Sequence, residues 1–140
     1  MDDSEIERIA TSLAQVTTVD EILALPPHTD AVMIAHMDDA KAAALASLHS
    51  LQILFTDGNN RISDAGLGCL VGLGALRSLD LEWSLVTDSG VLSLASLVSL
   101  EWLDLGGCDA VSEAAVQLLR QQLPACEIEY WGCNYGPRSN

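Results

Sequence analysis

The chain has 140 residues, 49% of them apolar, and its 20 acidic residues against 6 basic ones give a formal net charge of −14. That length suits one domain with a continuous core, and the charge argues against nucleic acid and anionic membrane surfaces as partners, because both require a basic face. The apolar stretches break well before the ~20 residues that cross a bilayer, and the acidic start (Asp2, Asp3, Glu5) is unlike a secretory signal. A cytoplasmic location follows as the expectation, with Cys69, Cys108, Cys126 and Cys133 reduced; they form no CxxC pair.

In chain order, residues 2–16 read as a helix. Ile6, Ile9, Leu13 and Val16 form one stripe, and Ser4 with Glu7 makes a capping-box pattern. Thr18 or Asp20 opens a second short helix that Pro26 and Pro27 stop. A stack of repeats needs its ends covered, so residues 1–27 are expected to form an N-terminal helical cap. Ala31–Ala35 is an apolar run suited to a buried parallel strand, and the Ala-rich segment Asp39–Leu48 is helical.

From here the chain repeats itself. Leu73, Leu76, Leu79 and Leu81 return 24 residues on as Leu97, Leu100, Leu103 and Leu105. The segments opening at Ile62, Val86 and Val111 repeat at 24 and 25 residues. Such a period built on leucine signals stacked units of one strand and one helix. In each unit the LxxLxL leucines point into the core and the residues between them point out. A small polar residue then marks the turn, with Asn59, Ser84, Cys108 and Cys133 in register. A Ser/Thr-acid step (Ser63 and Asp64, Thr87 and Asp88, Ser112 and Glu113) starts the helix, its acid near the positive helix end. A last partial repeat opens at Leu123 with the strand Ile128–Tyr130, and residues 134–140 form a polar tail.

These motifs resemble those of leucine-rich repeat proteins, in the subtype with Cys at the turn and an (I/V)-(T/S)-D-x-G-L step before the helix. That subtype is familiar from F-box-type repeats and from many bacterial repeat proteins. The resemblance covers 48–133 closely and 31–47 loosely; no F-box-like segment is present. It implies an α/β leucine-rich repeat solenoid, right-handed, with a parallel concave sheet inside, helices on the convex side and the N-terminal helical cap. The chain would be one domain: cap 1–27, about five repeats over 28–133, and the tail. It also implies a non-enzymatic protein-interaction module using the concave face.

In-register parallel strands place equivalent residues about 4.8 Å apart. The outward rows then read Phe55, Asp80, Asp104, Glu129; Ile53, Ser78, Trp102, Glu127; and Gln52, Arg77, Glu101, Cys126. Past the strands come Asp57, Glu82, Gly106, Trp131, and then Gly58, Trp83, Gly107, Gly132. Three acids side by side are unfavourable for a sheet, and exposed Trp beside acids suits the gripping of Lys or Arg. The expected partner is therefore a basic protein segment, bound by Trp83 and Trp102 as anchors. Asp57, Asp80, Glu82, Glu101, Asp104, Glu127 and Glu129 supply the acidic field. Against this stands the repeat habit of Leu-Asp-Leu, which needs no ligand. Arg77 is expected to pair with Glu101.

No phosphate loop, HExxH or GxGxxG occurs, and the three histidines are scattered. No cofactor, metal or catalytic residue is expected. Two alternatives remain: a self-associating or accessory structural subunit, and a divalent-cation or catalytic use of the acidic row.

Overall fold

The computed structural model describes residues 4, 5 and 13–131. Six strands alternate with helices: β1 Ala14–Val16, β2 Ala31–Ile34, β3 Ile53–Thr56, β4 Ser78–Asp80, β5 Trp102–Asp104 and β6 Glu127–Glu129. Between them lie α1 Val19–Leu23, α2 Asp39–Leu45, α3 Asp64–Leu70, α4 Asp88–Ser93 (extended by a 3-10 turn, Leu94–Ser96) and α5 Glu113–Gln122. The strands form one all-parallel sheet in chain order. Each helix packs on the next one along the chain. The leucines of the repeat, Leu79, Leu81, Leu103 and Leu105 among them, are buried between this helix layer and the sheet. Among the described residues no helix is long and apolar enough to cross a membrane.

The interlock between units is chemical as well as apolar. Ser63, Thr87 and Ser112 are the N-cap residues of α3, α4 and α5, as the sequence motif requires. Only Ser112 caps its own helix through its side chain. All three donate their N–H and hydroxyl to the aspartate that opens the preceding helix: Ser63 to Asp39, Thr87 to Asp64 and Ser112 to Asp88, with N···O distances of 2.7, 2.8 and 2.6 Å. The glycine of the motif follows from this. A Cβ on Gly66 would collide with Asp39 Oδ1, and one on Gly90 would collide with Asp64 Oδ1.

Three expectations change. Residues 14–16 are a strand paired with β2, not the end of a helix, so a strand-and-helix unit begins inside the segment read as a cap. Backbone pairing with Val32–Ile34 outweighs the helical stripe there, while residues 6–12 lie outside the described residues. Thr18 does open α1, with a complete capping box to Glu21. The turn ladder runs through Asn60, not Asn59: Asn60, Ser84 and Cys108 are buried, and Ser84 Oγ meets Cys108 Sγ at 3.5 Å. Asn59 is one extra residue between β3 and its turn, and it sits exposed against His36. Cys133 and the tail lie outside the described residues.

Ile53 and Ser78, read as outward, are buried as well. Ile53 joins Ala31 in a second apolar cluster, with Leu13 and Phe55 packed on it. The face opposite the helices is thus apolar at the β2–β3 end. Its acids gather at the β4–β6 end.

Candidate functional site

The strands hold Asp80, Asp104 and Glu129 in one row and Ser78, Trp102 and Glu127 in the next, as the repeat period dictates. Two of the three central acids are tied down. Asp80 accepts hydrogen bonds from the Thr56 N–H and hydroxyl through Oδ2, and from the Glu82 N–H through Oδ1 at 3.0 Å. Asp104 accepts the Gly106 N–H at 2.8 Å. Each acid therefore closes the turn that leaves its own strand, an Asx-turn role. This turn bends Glu82 back, and one carboxylate oxygen from each of Asp80, Glu82 and Asp104 lies within 4.8 Å of the others.

Electrostatics records that crowding. Burial pushes the Asp104 carboxyl up to about 7, against the Gly106 hydrogen bond, and the charges of Glu82, Asp80 and Glu129 push it the same way. Burial also raises Asp80, opposed by the N–H groups of Glu82 and Thr56. Chemically the cluster is a deficit of positive charge. A guanidinium, an ammonium or a hard divalent ion would each relieve it.

Trp83 borders this cluster. It has φ +64° at the turn position where Gly58 and Gly107 also take positive φ. A bulky side chain is rare there and strained. Its ring lies over Gly107, where a Cβ would collide with the indole. It meets Trp131 edge to face, with ring centroids 4.9 Å apart and planes at 81°. Trp131 lies over Gly106 in turn: its Nε1 and Asp104 Oδ1 both fall within 3.1 Å of the point a Gly106 Cβ would occupy. Trp83 is still 45% exposed.

Of the other expected site residues, Glu129 lies beside Asp104 on β6 and its charge bears on that carboxyl. Trp102 donates from Nε1 to Glu129 at 3.4 Å. Glu101 is paired with Arg77, which holds its carboxyl below the usual range. Arg77 also pairs with Glu5. Asp57 caps the β3 turn by accepting the Asn59 and His36 N–H groups, chiefly the former, and its carboxyl is lowered accordingly. Glu127 is exposed on β6. Trp131, absent from the expected set, is the residue the sequence reading missed. Its signal was the pair Gly106–Gly107, which clears the space between two tryptophans.

No family model matches the chain, and no curated protein matches it.

Proposed function

We propose that this chain is a short leucine-rich repeat solenoid that works as a non-enzymatic protein-interaction module and binds a basic segment of another protein. The repeat reading is supported by six parallel strands paired in chain order and by the aspartate ladder that locks each helix start to the one before. The interaction reading rests chiefly on one observation. Asp80, Glu82 and Asp104 converge beside a half-exposed, strained Trp83. The turns account for Asp80 and Asp104, but not for the added charge of Glu82 beside them or for a tryptophan where glycine fits. The partner's cations would offset the repulsion, and Trp102 with Glu127 and Glu129 would extend the surface along β5 and β6. A cytoplasmic setting without nucleic acid or membrane fits the charge of −14.

The test is fluorescence anisotropy with basic 12-residue peptides and neutral ones of matched length, at low and high salt. Binding confined to the basic peptides, weakened by salt and abolished by Glu82→Lys, is the expected result. Glu82 is the substitution of choice because Asp80 and Asp104 also hold turns. Equal binding by neutral peptides, or none changed by Glu82→Lys, refutes the reading. A melting temperature raised by calcium or magnesium, with no peptide binding, would assign the cluster to a metal ion instead.

A further inference from the structure

We propose that the sheet face over β2–β4 is a docking surface for an apolar segment, and that the chain's own N-terminal segment, residues 4–13, occupies it. This goes beyond the interaction reading above, which concerns the acidic end of the same face.

The burial of Ile53 carries the proposal. The strand register puts Ala31, Ile53, Ser78, Trp102 and Glu127 in one row on the face opposite the helices. On a bare sheet face such side chains meet water. Trp102 and Glu127 do so, in part or fully, but Ala31, Ile53 and Ser78 are buried. Alanine and serine are small enough to hide between their neighbours. An isoleucine at 1% exposure is not, so Ile53 has a cover. The cover reaches from β2 to β4 and stops short of β5.

Two contacts among the described residues fix the ends of that cover. Leu13 packs on the Ala31–Ile53 cluster, beside Phe55. Glu5 forms an ion pair with Arg77, the residue before β4, which also holds Glu101. The lengths agree. Two steps between strands span about 10 Å, and the eight residues from Glu5 to Leu13 would span about 12 Å as a helix. The chemistry agrees as well. Ile6, Ile9 and Leu13 recur at helical spacing, the pattern that lays an apolar stripe on an apolar surface. Arg77 at the rim sets the direction, because it pairs with an acid at the start of the segment. The surface therefore selects an apolar stripe preceded by a carboxylate, and a partner segment of that kind must compete with the chain's own.

The test is trypsin cleavage of the full chain after Arg8, read by mass spectrometry against the free peptide of residues 1–13. Each variant is compared with a peptide carrying the same change. Arg8 lies within the segment, so docking shields it. The full chain is expected to be cut at least about tenfold more slowly than the peptide, since cleavage must wait for the segment to leave the sheet. Glu5→Ala should speed cleavage by about two- to fivefold, the worth of a partly exposed ion pair. Arg77→Ala should do the same, and the two together should do little more than either alone. Leu13→Asp should bring the rate close to that of its peptide. Wild-type cleavage as fast as the peptide's, or a rate unmoved by both Glu5→Ala and Leu13→Asp, overturns the proposal. Protection that fades on dilution would assign the cover to a second copy of the chain and overturn it as well.

Discussion

Replacing Asp104 with Asn should stabilise the protein, and by an amount that depends on pH. In the folded chain this carboxyl sits at about 7, raised from its usual 3.8. Between those values the folded state keeps a proton that the unfolded chain has released, so wild-type stability falls as pH rises through this window. The penalty is complete above about pH 7 and absent below about pH 4. At about 1.4 kcal/mol for each pH unit, it is on the order of 4 kcal/mol at pH 8 and on the order of 1–2 kcal/mol at pH 5. Like charges facing across a sheet would alone give only about 0.2–1 kcal/mol; burial of the charge supplies the rest. The asparagine side chain can still accept the Gly106 N–H, and its amide nitrogen then donates towards Asp80 and Glu82. Urea unfolding followed by tryptophan fluorescence at pH 5, 6, 7 and 8 measures the difference. The Asp104→Asn variant should be the more stable at every pH, with its margin growing by roughly 3 kcal/mol from pH 5 to 8. A margin independent of pH, or a loss of stability, would refute the account and give the Asp104 carboxylate a stabilising partner.

Two further outcomes are expected. Gly90→Ala would normally gain about 1 kcal/mol in a helix. Here it should destabilise, because the new Cβ meets Asp64 Oδ1, and it should become harmless once Asp64→Ala is also present; additive effects in that double-mutant cycle would deny the interlock. Arg120 Nη2 donates to the Ile128 carbonyl at 3.1 Å. The Glu127 and Glu129 backbone groups are bonded to β5, so that carbonyl points away from the sheet. Arg120→Ala should leave it unpaired and promote concentration-dependent association in light scattering; a variant that scatters like the wild type at every concentration would show that Arg120 does not guard this edge.

A 24-residue period carries its own register, and for that reason the parallel row of Asp80, Asp104 and Glu129 and the helix starts at Ser63, Thr87 and Ser112 could be read from the sequence alone. Stacking equivalent units leaves only one way to align them. The reading failed where the period itself slips. From strand to turn, β3 runs six residues from Leu54 to Asn60, whereas β4 and β5 run five, from Leu79 to Ser84 and from Leu103 to Cys108. The extra residue pushed the ladder from Asn59 to Asn60. At residues 14–16, three residues of strand lie under a helical stripe, and only pairing with β2 decides between them. The candidate patch is tertiary for a different reason. Glu82 belongs to a different row from Asp80 and Asp104, and Trp83 lies two repeats from Trp131. Sequence spacing records rows, not the turn that folds Glu82 back or the bare backbone at Gly106 and Gly107 across which the two indoles meet.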